Sequence, residues 1–196
     1  MKNLVFCFLF LLSVSTLASQ VIEPAPDDQS VVYFMRPGST GGIINFVFFD
    51  GDQVIGRLGG NKYFRYECSQ GEHVFWAKSE NRSFLEANLE AGKIYIVHAR
   101  SLMGATKASV QLRAIDPGVD KLKQFQKLLA KRSGWDLSEE KIDELNDQLE
   151  SYKTKGLERF EELKAKGMLI DALEPDMNLE AEDLMFVKKK KGTKGI

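Results

Sequence analysis

The stretch YFRYECSQGEHVFWAKS, Tyr63 to Ser79, decides the fold. From Lys62 to Cys68 its residues alternate. Phe64, Tyr66 and Cys68 share one face, and Tyr63, Arg65 and Glu67 share the other. Period-two alternation marks a strand with one face toward a core. Ser69-Gln70-Gly71 is turn chemistry, and Glu72–Lys78 resumes as an aromatic, β-branched strand. The stretch therefore reads as two strands about a turn, although it also holds Cys68, His73 and Trp76.

The same grammar extends to both sides. Val31–Arg36 ends at Pro37-Gly38, and Gly42–Asp50 ends at the hairpin signal Asp50-Gly51. Gln53–Leu58 returns from it and Gly59-Gly60-Asn61 turns again. Ser83–Leu89 and Lys93–Arg100 flank Glu90-Ala91-Gly92, and Lys107–Ile115 closes the set with Val110, Leu112 and Ala114 alternating against Gln111 and Arg113. Short strands at regular spacing, split by glycine-rich turns, predict an all-β sandwich of about seven to eight strands over residues 29–115. Phe48 and Phe49 are adjacent and must point to opposite faces, so some aromatics lie outside the sandwich core.

Composition changes at Asp116-Pro117-Gly118, after which Lys, Glu, Leu and Asp dominate. Residues 117–167 predict an amphipathic helical pair. The shorter helix carries Val119, Leu122, Phe125, Leu128 and Leu129 at helical spacing. The longer one runs from about Asp136 to Gly167, with a stripe of Ile142, Leu145, Leu149, Tyr152, Phe160 and Leu163. Gly156 falls on that stripe, as a weak point or where a neighbour approaches closely. An apolar stripe on a charged helix needs a cover. The short linker favours the other helix, with outward aromatics of the sandwich or another chain as alternatives. The six stripe residues are accordingly the candidates for partner contact.

The ends of the chain read as signals rather than fold. Residues 1–18 have Lys2, an apolar run from Leu4 to Leu12, and then small residues, the layout of a cleaved export signal. Cleavage is expected after Ala18 or Ser19, giving a periplasmic or extracellular chain. Cys7 lies inside the apolar run, which argues against a lipid-modified cysteine. Residues 168–196 form an acidic, then Lys-rich tail, with Lys188–Lys191 and Lys194 as a weak membrane-surface contact. The whole chain has 27 basic and 28 acidic residues, which leaves no global basic field for nucleic acid.

The segment from about Gln29 to Ile115 resembles a bacterial family, domain of unknown function 2846. VVYFMRP matches its opening strand, FFDGDQVIGRLGGNKYFRYECSQGEHVFWA its central run, and LEANLEAGKIYIVHAR a later Ala-Gly-Lys segment. Gln70-Gly71 stands where the family often has Pro-Gly. The resemblance implies an exported sandwich, immunoglobulin-like or fibronectin-like, and carries no agreed activity.

Candidate chemistry is sparse. Cys68 and His73 flank one turn, so a hydrolase built on that pair is the enzymatic alternative, yet Cys68 shares its face with apolar residues and no third orienting group is evident. The two histidines and one thiol lack metal-ligand spacing, and Asp50-Gly51-Asp52 is too short for a calcium loop. Asn81–Ser83 spells a glycosylation sequon that reads as chance in a bacterial chain. No catalytic, cofactor-binding or metal-binding residue is assigned. The expected function is a non-enzymatic interaction module of the bacterial cell envelope with a protein partner.

Overall fold

The computed structural model describes residues 20–38, 43–103, 108–131, 134, 137–180, 182–183 and 185–186. The expected export signal and the Lys-rich tail lie outside them. In chain order the elements are β1 (Gln20–Val21), β2 (Ser30–Arg36), β3 (Phe46–Asp50), β4 (Gln53–Leu58), β5 (Lys62–Cys68), β6 (Gly71–Lys78), β7 (Arg82–Leu89), β8 (Ile94–Met103) and β9 (Ala108–Ala114). Helices α1 (Lys123–Lys131), α2 (Glu139–Gln148) and α3 (Glu150–Ala165) follow, then β10 (Asp171–Leu173) and β11 (Met185–Phe186).

Two sheets face each other. One has the order β5-β2-β8-β9 and the other β10-β7-β6-β3-β4. Both are mixed: β2 runs parallel to β8, and β10 parallel to β7. β1 pairs separately with β11, so the two ends of the described chain meet. Between the sheets, alternate residues interlock. Val32, Phe34, Phe64, Tyr95 and Val97 come from one sheet, and Phe46, Phe48, Phe75, Leu85 and Leu173 from the other. At one end of this core the buried Arg36 donates from Nε to Ser101 Oγ at 3.0 Å and from Nη1 to the Leu58 carbonyl at 3.3 Å, with its guanidinium over the Phe46 ring. A buried charge is tolerated where such acceptors surround it.

The outer faces of both sheets are apolar too, and this places the helices. Tyr33, Met35, Ile94 and Ile96 point away from the first core and are covered by Phe125, Leu128 and Leu129 of α1. Phe49, Val54, Trp76 and Phe84 point out of the second sheet and are covered by Leu145 of α2 and Phe160 of α3. The helical extension is therefore not an antiparallel pair. Its parts cover opposite faces of the sandwich, because each sheet presents an apolar outer face that must be covered.

The stripe proposed for partner contact is accordingly an intramolecular packing face. Leu145 and Phe160 are buried, and Ile142, Leu149 and Leu163 are half-buried. Tyr152 departs from it: it is exposed, with the Lys78 ammonium over its ring. The expected single long helix breaks at Leu149, where φ −107° and ψ 11° leave helical geometry. The break turns Lys153 and Gly156, rather than Tyr152, toward the sheet, and both are buried. A Cβ at Gly156 would lie 2.6 Å from Cη2 of Trp76.

The tail also contributes structure. β10 adds a parallel strand beside β7, Leu173 is fully buried in the central cluster, and the Leu179 amide donates to the Ile94 carbonyl. The compositional boundary near residue 116 is thus not a boundary of the core.

Gly156 provides a direct check of this packing. At an open helix site Gly→Ala stabilises by about 1 kcal/mol. Here the added methyl meets an indole that cannot retreat, so G156A is expected to lower stability by about 1–3 kcal/mol. Urea unfolding followed by circular dichroism reads the sign.

Candidate functional site

β5 and β6 do not pair as a hairpin: the turn between them crosses from one sheet to the other, and it brings polar residues together, but not as a nucleophile and base. The turn between the strands places Gly71 at φ +113°, and His73 follows on β6. His73 Nδ1 lies 2.8 Å from Asp50 Oδ2 and Nε2 lies 2.9 Å from the Ser69 carbonyl. Tyr66 donates its hydroxyl to the same Asp50 oxygen at 3.0 Å. The imidazole stacks on Phe75, with ring centroids 5.3 Å apart. Asp50 and His73 belong to one sheet and Tyr66 to the other, so the three form a polar clasp between sheets.

A carbonyl and a carboxylate both accept hydrogen bonds, so the two ring nitrogens of His73 are both satisfied as donors. That is the imidazolium form. Its pKa is raised, first by the hydrogen bond to Asp50, against the opposing effect of burial. Burial together with the Asp50 charge also raises the Tyr66 phenol.

Cys68 lies apart from this clasp. It is the one free cysteine among the described residues, it is buried, and its Sγ has the Ser30 carbonyl at 3.9 Å. Burial and the charge of Asp50 push the thiol up to about 12. A thiol held protonated is a poor nucleophile, because the thiolate is the reactive species. A base must have a free nitrogen lone pair, and both nitrogens of His73 are engaged.

His98 sits on the outer face of the first sheet, edge-on to Phe125 of α1 with centroids 5.1 Å apart. Burial lowers its pKa to about 4, aided by Arg100 and Arg113 and opposed by Asp120. It packs as a neutral ring beneath a helix.

Asn81 has a structural assignment that also answers the sequon. Its Oδ1 accepts from the Val110 amide at 2.8 Å and its Nδ2 donates to the Val110 carbonyl at 2.9 Å. The side chain thereby pairs with the edge of β9 as a strand would. Ser83 Oγ accepts from the Leu112 amide and Asp171 Oδ2 from the Ala114 amide, continuing the same edge. Three side chains thus cap alternate amides of an edge strand that would otherwise be open to pairing.

That seam borders a groove of about 750 Å³ whose walls include Arg82, Arg100 and Arg113 from three different strands. Its apolar wall includes Leu163, Leu169 and Met177. Arg113 pairs with Asp120 at 3.0 Å. Among the described residues, Arg100 reaches only Gln111 Oε1, at 3.4 Å, and Arg82 holds a buried Nε without an acceptor. The groove is not a feature that alternation exposes: its arginines are spread over 32 positions of sequence, from 82 to 113. The available signal was the outward parity of Arg100, Gln111 and Arg113 on neighbouring strands.

Comparison with known protein families, with curated proteins and with solved structures finds no match to this chain. Among the described residues no helix is long and apolar enough to cross a membrane, and no cluster of His, Cys, Asp and Glu is arranged to hold a metal.

Two measurements check the chemistry of Cys68 and His73. Iodoacetamide at about pH 8, near the ordinary thiol range, should alkylate Cys68 only on unfolding; labelling of the native chain as fast as a free thiol would contradict the buried, protonated assignment. The raised pKa of His73 means that the folded state holds its proton more tightly than the unfolded state. Its stabilising contribution is full below about pH 6.5, the unfolded value, and is lost as pH rises through the folded pKa. H73N should therefore be less stable than the parent by about 1–3 kcal/mol near pH 6. The difference should shrink toward pH 9, as followed by urea unfolding at each pH.

Proposed function

We propose that the protein is an exported, non-enzymatic β-sandwich interaction module of the bacterial cell envelope, related to the domain of unknown function 2846 family. The observation that carries the reading is the contrast between its two polar regions. The crossover from Cys68 to His73 has its groups committed to the fold, with a protonated thiol and an imidazole engaged at both nitrogens. The seam groove, by contrast, presents arginines with no carboxylate partner among the described residues at Arg82 and Arg100. Groups that bind reversibly need that freedom; groups that do covalent chemistry need activation, which burial opposes at Cys68.

An immunoglobulin-like or fibronectin-like subclass is supported by the two facing sheets with alternating inward residues. The parallel β2–β8 pair inside one sheet departs from the immunoglobulin order, in which sheets are antiparallel. The membrane-surface reading of Lys188–Lys191 and Lys194 stays an alternative, resting on charge alone.

Export is tested by expressing the full chain in a Gram-negative host, fractionating the cells and weighing the product. The expected product is a periplasmic or secreted chain beginning at Ser19 or Gln20. A cytoplasmic chain retaining Met1, or a lipid mass on Cys7, would overturn it.

A further inference from the structure

We propose that the seam groove is a binding site for a ligand with one oxyanion, a carboxylate or phosphate, attached to an apolar body, and that Arg82 and Arg100 hold the oxyanion. The inference deepens the interaction-module reading and rests on it for the biological use of the groove.

The placement begins with the strand register. Arg100 of β8 lies directly opposite Gln111 of β9, and Arg113 follows two residues on, on the same face. Arg82 opens β7. Ser83 beside it accepts from the Leu112 amide, which draws the start of β7 against β9 and brings the three arginines to one groove. The fold thus gathers cations from strands of both sheets.

These cations differ in what they are free to do. Arg113 is already neutralised by Asp120. Arg100 is exposed and has, among the described residues, only a long contact to an amide oxygen. Arg82 is half-buried, and its fully buried Nε has no acceptor. Guanidinium is the side chain best matched to carboxylate and phosphate oxyanions.

The charge around them sets what the ligand is. Asp171 and Glu174 also line the groove, and one Asp171 oxygen is engaged by the Ala114 amide. Two guanidiniums without a carboxylate partner among the described residues, beside two carboxylates, suit a single anionic group better than a polyanion such as nucleic acid or polyphosphate. The remaining wall supplies the second half of the recognition. Leu169 is fully exposed at the turn after α3, next to the largely exposed Met168, and Leu163 and Met177 line the groove with it. A pocket with a few polar groups and an apolar wall fits an amphiphilic ligand, head on the arginines and body on the leucines.

The test uses the purified chain with octanoate and octyl phosphate as probes, followed by isothermal titration calorimetry. Saturable binding of either probe is expected, with inorganic phosphate weaker because it lacks the apolar body. The R82Q/R100Q double variant should bind at least about tenfold more weakly while its circular dichroism spectrum stays that of the folded parent. R100Q alone alters an exposed side chain and gives the same direction should R82Q disturb packing. R57Q, an exposed arginine on β4 outside the groove, should bind as the parent does. Vesicles containing phosphatidylglycerol separate the sources: retention of the chain that depends on Arg82 and Arg100 assigns a lipid headgroup, and binding of the soluble probes alone assigns a free amphiphile. The proposal is overturned if neither probe binds saturably. Equal affinity in R82Q/R100Q, or an equal loss in R57Q, overturns it as well. None of these readings depends on export, so failure here and failure of the envelope reading are distinguishable.

Discussion

The indole of Trp76 is the constraint around which the outer half of the molecule is arranged. It is fully buried on the outside of a sheet, stacked on Phe49 with ring centroids 3.7 Å apart, and its Nε1 donates to the Gly51 carbonyl at 2.8 Å. Removing a side chain of this size from water is worth roughly 4–6 kcal/mol. That surface can be hidden only if a helix crosses it, and the helix can come close enough only where a residue has no side chain. Gly156 is that residue. The break at Leu149, the burial of Lys153 and the exposure of Tyr152 all follow from bringing Gly156 over the ring. Lys153 keeps its ammonium paired with Glu150 at the helix surface, at 2.6 Å, while its stem covers apolar area.

The other side of the sandwich obeys the same rule with different parts. β2 is buried along its whole length because alternate residues face the inter-sheet core and α1. A strand buried on both faces is usual where helices cover a sheet. The result is four layers: a helix, two sheets, and a pair of helical segments. Edges are managed locally. β9 ends its sheet, and Asn81, Ser83 and Asp171 occupy its outward amides in place of a further strand.

Polar groups inside this arrangement are mostly committed to the fold. The two histidines show how burial and partners decide charge. His73 has acceptors on both nitrogens and is driven toward the cation; His98 is driven toward the neutral form by burial and by Arg100 and Arg113 nearby. The same logic disarms Cys68. Of the seam arginines, Arg82 and Arg100 keep hydrogen-bonding capacity that the described residues do not use.

Local alternation determined a good deal. Phe64, Tyr66 and Cys68 on one face, the turn at Ser69–Gly71, and the opposite directions of Phe48 and Phe49 are all legible in sequence, because a strand has period two whatever surrounds it. The strand set from Val31 to Ile115 and the existence of amphipathic helices were legible for the same reason. Which partner each apolar face takes was not. The stripe of Leu145, Leu149 and Phe160 is equally suited to a helix, a sheet or another chain, and only the amount of apolar surface left outside each sheet decides among them. β10 and Leu173 were missed because three residues in an acidic stretch carry too little periodicity; a parallel partner, β7, supplies the strand. Arg82, Arg100 and Arg113 become one site only through the Arg100–Gln111 register and the Ser83–Leu112 hydrogen bond, which are properties of strand pairing and not of any segment read alone.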